Sequence, residues 1–199
     1  TKGVEGTSKG DVIQRVNNNM SHTSLMPGVP LPSVTLPLMT GESLDISKTS
    51  GKNRLVVVYR GAFCPFCKNS LVDIQKNLSK LSDANIDVVA LSADSIDVTK
   101  KFADENGLTF PIANELKEPE MRTLGLYVSD PKDYQPQTYR FAEPAYFLLT
   151  PEGKIRYLCV ASFPMGGRVN VDDLIMGVGW VEGEIKRNPA FQDVIWGGK

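Results

Sequence analysis

Histidine is almost absent from this chain: His22 is the only one, and just three cysteines, Cys64, Cys67 and Cys159, accompany it among 199 residues. A structural zinc site takes four ligands of these kinds. Cys159 falls inside an alternating apolar stretch and His22 inside a polar tail, so no four-ligand site is expected. Three cysteines are also too few, and odd in number, for a disulfide-stapled scaffold; they point to a reducing compartment, taken as the cytoplasm, where thiols do chemistry. Neither charge dominates, with 22 Lys and Arg against 23 Asp and Glu. Without a basic run, nucleic acid and anionic membranes are not expected partners. Nowhere do apolar residues extend to the roughly 18 to 20 that a bilayer span requires. A charged-then-apolar leader is missing as well, although the sequence starts at Thr1 and earlier processing stays open.

What is present is concentrated in Cys64-Pro65-Phe66-Cys67, directly after the run Leu55-Val56-Val57-Val58-Tyr59. So short and β-branched a run reads as a buried strand. Leu71, Ile74, Leu78 and Leu81 then recur at helical spacing. The thiols therefore stand where a strand feeds a helix N-terminus, and free backbone N–H groups and the helix dipole both stabilise a thiolate there. Pro65 suits the first helical position, which makes Cys64 the cap residue. Cys67 shares the face of Leu71 and Ile74 and is expected to point inward, leaving Cys64 as the more exposed sulfur. Arg60 and Lys68 are the nearby cations. This pattern is that of a dithiol exchange site: an accessible attacker of lowered pKa and a sheltered thiol that resolves the mixed disulfide. The competing readings are two inert core cysteines, or Cys159 acting as a distant resolving thiol rather than as a small buried hydrophobe.

Residues 1–26, rich in Gly, Asn and Ser, read as a tail or arm with one weakly amphipathic piece at Val12, Ile13 and Val16. A single domain is expected over residues 27–199. Its entry is punctuated by Pro27, Pro30, Pro32 and Pro37, and Leu36 to Leu44 reads as a hairpin around Thr40-Gly41. Strands and helices then alternate: strand Arg54–Tyr59, helix Pro65–Leu81, strand Ile86–Ser92, and helix Ser95–Asn106 capped by Ser95 or Asp94 and stopped by Gly107. A short helix spans Pro119–Leu124, and the polar stretch Leu126–Glu143 reads as a long loop. Ala145–Leu149 and Ile155–Val160 pair through a Pro151–Gly153 turn. Asn170 caps a last helix running through Val181 or beyond, weakened by Gly177 and Gly179.

On these residues the chain resembles the alkyl hydroperoxide reductase/thiol-specific antioxidant branch of the thioredoxin-like superfamily. The carriers are the entry segment 27–44, the strand and loop 56–67, the late hairpin 145–160 and Phe163-Pro164-Met165-Gly166-Gly167-Arg168. The resemblance implies an α/β thioredoxin-like fold: a central mixed sheet flanked by helices, with an N-terminal β-hairpin extension. It also places Arg60 where such peroxidases carry a proline, Cys64 where they carry a peroxide-holding Thr or Ser, and Cys67 at the attacking cysteine. Their arginine ahead of the late strand is replaced by Pro144. Thioredoxins keep a cis-proline there, whose carbonyl side helps bind an extended substrate, so Glu143-Pro144 is expected to be cis on that likeness. The buried Asp of the thioredoxin strand is replaced by Val58, which leaves Glu143 as the adjacent candidate base.

The leading expectation is a dithiol–disulfide oxidoreductase with Cys64 as nucleophile, Cys67 as resolving thiol and Arg60, Pro65, Phe66, Glu143 and Pro144 in support. The alternative is a peroxiredoxin-like peroxidase acting on hydrogen peroxide or alkyl hydroperoxides. Alignment then favours Cys67 as attacker and exposure favours Cys64. A Cu(I)-binding dithiol is the weakest reading, since related copper chaperones add a late His that this chain lacks. No cofactor is implied. Turnover would draw electrons from a thioredoxin- or glutathione-type donor, and a homodimer is left open.

Overall fold

Every residue of the strand Asn53–Val58 (β3) is buried, because both of its faces are covered. Leu55, Val57 and Tyr59 enter one apolar cluster, while Val56 and Val58 enter the other. This alternation places β3 at the centre of a five-stranded mixed sheet. The computed structural model describes residues 25–196. The readings made for residues 1–24, including Val12, Ile13, Val16 and His22, lie outside them.

In chain order the elements begin with β1 (Thr35–Pro37) and β2 (Ser43–Asp45), which pair antiparallel as the expected hairpin. After β3 come the helices α1 (Pro65–Lys76) and α2 (Leu78–Asp83), then β4 (Ile86–Leu91) and α3 (Ile96–Asn106). There follow β5 (Ile112–Ala113), α4 (Glu118–Thr123), β6 (Val128–Ser129), β7 (Phe141–Ala142), β8 (Ala145–Leu149), β9 (Ile155–Val160) and α5 (Val171–Arg187). A 3-10 turn over Pro189–Asp193 follows α5. The sheet order is β5-β4-β3-β8-β9. β4 lies parallel to β3 and to β5, whereas β8 is antiparallel to both β3 and β9. This is the thioredoxin-like α/β fold with an N-terminal hairpin. Among the described residues no helix is long and apolar enough to cross a membrane.

Two expectations change at the level of elements. The helix read as continuous from Pro65 to Leu81 breaks at Asn77, whose backbone (φ −104°, ψ 12°) leaves the helical region. Its side-chain amide donates to the Asp73 carbonyl at 2.9 Å, the local competition that makes Asn a poor interior helix residue. The long loop Leu126–Glu143 contains a small ladder, with Val128 paired to Ala142 and Ser129 to Phe141. Caps follow the sequence more closely. Ser95, not Asp94, caps α3 by accepting from the Val98 N–H, and Gly107 ends it in the left-handed region at φ 62°. Asn170 caps α5, which runs past Val181 to Arg187.

Candidate active site

The turn from β3 into α1 carries the two thiols to the carboxyl ends of β3 and β4, where open α/β sheets build their sites. Cys64 is the N-cap in extended conformation, with no side-chain cap bond of its own, and Pro65 opens the helix. Cys67 lies in the first turn on the buried face of Leu71 and Ile74. The expected difference in exposure is absent: Cys64 is 1% exposed and Cys67 0%. The cap position is packed into the same apolar cluster as the inner face of the helix. Phe66 and Pro65 take the outward positions instead.

Cys67 Sγ is the focus of the donors. It accepts the Arg60 backbone N–H at 3.4 Å and two guanidinium nitrogens of Arg168 at 3.5 and 3.6 Å. Cys64 Sγ has the Arg60 guanidinium at 4.0 Å. The thiols share a proton. A hydrogen bond from the Cys67 thiol, aided by the Cys67 backbone N–H and Arg60 and opposed by burial, pulls Cys64 down to about 5. Cys67 is pushed up by that same hydrogen bond, by burial and by the Cys64 charge, while Arg168 acts the other way. One negative charge therefore belongs to the pair at neutral pH. If the shared proton crosses to Cys64, the charge moves onto the sulfur that Arg168 and the Arg60 amide surround.

Arg60 is held from three sides. Its Nε lies 3.2 Å from Glu143 Oε2, and its guanidinium stands 5.4 Å from the Phe63 ring centre and 4.8 Å from that of Phe141. Glu143 also accepts from the Ser129 hydroxyl at 2.6 Å. Its carboxylate thus meets Arg60 and Ser129, and it makes no hydrogen bond to either sulfur. Lys68 is exposed and makes no hydrogen bond to either sulfur.

Pro144 departs from the thioredoxin pattern in two respects. The Glu143–Pro144 peptide is trans, since the described residues contain no cis bond. The Pro144 carbonyl accepts the Ala161 N–H at 2.9 Å, and a Cβ on Gly167 would come within 2.6 Å of that same oxygen. The carbonyl side is therefore filled by the loop that leads into Arg168. No edge is left there for an extended substrate.

Two residues escaped sequence reasoning. Arg168 brings a guanidinium to Cys67 from a different part of the chain than Pro144, where the family arginine was expected; the only signal was the family-like loop 163–168. Asp94, 1% exposed at the end of β4, accepts from the Ala62 N–H at 2.8 Å, the Ser92 hydroxyl at 3.0 Å and the Tyr139 hydroxyl. It fixes the backbone ahead of the motif. At Gly61, φ is +147°, and a Cβ would sit 2.8 Å from Asp94 Oδ1, so only glycine passes there. Cys159 lies on β9 opposite Tyr146, half-buried against the cluster that includes Cys64 and Cys67. Among the described residues no three His, Cys, Asp or Glu side chains converge as a metal site.

Known proteins agree with this architecture. Peroxiredoxin Bcp of Escherichia coli K12 is 25% identical over 134 residues, covering 67% of this chain and 85% of that protein. Among solved structures, a cysteine-to-serine mutant of peroxiredoxin 6 from Arenicola marina superposes with TM-score 0.67 at 15% identity, over 80% of this chain and 74% of that one. Peroxidoxin BcpB from Mycobacterium tuberculosis gives 0.65 at 15%, over 78% and 97%. The model of the AhpC/TSA family matches residues 27–158. The chain belongs to the AhpC/TSA family and is a thiol-dependent oxidoreductase.

Proposed function

We propose that the chain is a thiol peroxidase that reduces hydroperoxides, with Cys67 as the attacking sulfur and Cys64 as the resolving one. The observation that carries this reading is the convergence of three N–H donors on Cys67 Sγ, two of them from Arg168. Donors of that kind stabilise the attacking thiolate and the negative charge that develops on the departing oxygen. Burial of both sulfurs adds support: a hydroperoxide is small enough to reach them after side-chain movement, whereas a protein disulfide needs an exposed sulfur.

The chemistry follows from the shared proton. The Cys67 thiolate attacks one peroxide oxygen, forming an S–O bond as the O–O bond breaks. The departing alkoxide takes a proton and leaves as an alcohol, or as water from hydrogen peroxide. Cys67 is then a sulfenic acid. Cys64 attacks its sulfur, expels hydroxide that is protonated to water, and closes the Cys64–Cys67 disulfide. The peroxide has gained two electrons and the dithiol has lost two. An external dithiol of the thioredoxin or glutathione type returns them. Asp94 and Arg60 hold the loop in register throughout, and no cofactor enters.

Dimedone capture in single serine variants tests the assignment. Cys64→Ser treated with peroxide should trap one dimedone on Cys67; trapping only in Cys67→Ser would reverse the roles. Peroxide consumption no faster than that of a free thiol would remove the activity. The other reading, dithiol–disulfide exchange led by Cys64, is favoured by the lowered pKa of that thiol, about 5. It predicts reduction of a protein disulfide such as insulin by wild type and its loss in Cys64→Ser.

A further inference from the structure

Gly177 lies in the interior of α5, where glycine weakens a helix, yet a Cβ there would meet no heavy atom within 4 Å. The open space is a cavity of about 500 Å³ between α5 and the β8–β9 hairpin, within the usual size of small-molecule sites. Leu148, Leu174, Val178, Val181, Trp180 and Trp196 make its wall apolar. Two arginines, Arg156 and Arg168, also line it. The Nε of each is buried without a hydrogen-bond partner, and neither forms an ion pair with any described residue. Burial pulls the Arg156 pKa downward, opposed by the more distant charges of Glu182 and Glu152. Glu182 is itself engaged by the Asn53 amide at 2.9 Å, and Asp173 is the one carboxylate on the cavity wall.

The terminal nitrogens of Arg168 donate to Cys67 and to the Pro164 carbonyl, but an arginine whose Nε is buried unpaired beside an apolar pocket is complementary to an anion that brings its own hydrocarbon. We propose that this cavity binds a free alkyl carboxylate, its headgroup against Arg156 and Arg168 and its chain along the leucine, valine and tryptophan wall. The ligand needs no peroxide. Arg168 joins this cavity to the reactive pair, because its two terminal nitrogens contact Cys67 while the residue lines the pocket. A carboxylate on Arg168 competes for the charge that serves the sulfur, so occupancy slows the thiols. This coupling rests on Arg168 serving Cys67; binding itself does not.

Both tryptophans of the chain line the cavity, which makes intrinsic fluorescence a direct reporter. Titration of the full chain with decanoate should give a saturable change with Kd of about 0.1 mM. Gly177→Leu, which fills the space on an unstrained helix position, should weaken binding by about tenfold or more. Arg156→Gln should weaken decanoate by about tenfold and leave decanol unchanged. In a second readout, saturating decanoate should slow iodoacetamide alkylation of the wild-type pair at pH 6 by about threefold or more, and leave Gly177→Leu unaffected. No saturable change in wild type, equal binding by Gly177→Leu, or acetate as effective as decanoate overturns the site. Binding without slowed alkylation keeps the site and overturns the coupling, whatever the outcome for peroxide reduction.

Discussion

Arg60 and Arg168 approach the same pair of sulfurs from opposite ends of the chain, yet their surroundings differ. Arg60 is neutralised by Glu143, 3.2 Å away, and clamped by two aromatic rings. Its charge is largely spent on structure, and its clearest gift to Cys67 is a backbone N–H. Arg168 has no carboxylate within ion-pair distance among the described residues and turns two N–H groups to Cys67. A paired guanidinium holds a loop in place. An unpaired one delivers charge to a thiolate. The contrast separates catalytic from structural loss, and each variant below acts on one side of it.

The largest effect is expected where the two sides meet. Cys67→Ser should lower peroxide reduction by about 10⁴-fold or more, as for loss of a nucleophile, measured by stopped-flow peroxide consumption. Next comes Arg168→Gln, with kcat/KM down about 10²- to 10³-fold and a thermal midpoint within a few degrees of wild type. An unchanged rate would dissolve the contrast between the two arginines. Glu143→Ala attacks the other side. Unpairing the buried Arg60 should cost about 3 kcal/mol or more, seen as a fall of roughly 10 °C in Tm, with a smaller effect on the chemical step. Asp94→Asn replaces one of the two oxygens that accept from Ala62, Ser92 and Tyr139 with an NH2 group and should cost about 1–3 kcal/mol by denaturant unfolding.

The pH profile sharpens the comparison further. The pair loses its first proton with a midpoint near 5. Alkylation by iodoacetamide should therefore be fast at neutral pH and fall as pH drops through that value, with the second proton leaving only above the ordinary thiol range. Replacing the partner in Cys64→Ala takes away the hydrogen bond between the two sulfurs, so the midpoint of the remaining cysteine should rise above that of the wild-type pair.

Much of the fold was legible in local patterns. The β-branched run at Leu55–Tyr59, the Ser95 and Asn170 caps and the Gly107 stop all depend on neighbours a few residues apart, and they appear as expected. Asn77 shows where local spacing misleads: leucines at helical spacing on either side concealed a side chain that bonds the Asp73 carbonyl one turn earlier. The site was less legible. Pro144 looked like a thioredoxin proline because its position matched, but its bond is trans and its carbonyl is filled by Ala161 and Gly167. That contact joins segments that sequence spacing does not relate. Cys64 looked exposed because a helix cap usually is, and here it is buried in the apolar cluster that holds Tyr59, Cys67 and Leu71.

By itself the sequence determined that two thiols stand at the junction of a buried strand and a helix, the placement on which the proposed redox chemistry rests. Strand burial, proline at the first helical position and the helix dipole act over a single turn, so they can be read from adjacent residues. Only the tertiary structure decided which charges meet the sulfurs. Arg168 lies 101 residues from Cys67 in sequence and 3.5 Å from it in space. Its approach depends on the close passage of Gly167 over Pro144 and on the order of strands β3, β8 and β9. Such convergence of loops at the ends of strands is a property of long-range register, and local spacing carries no record of it.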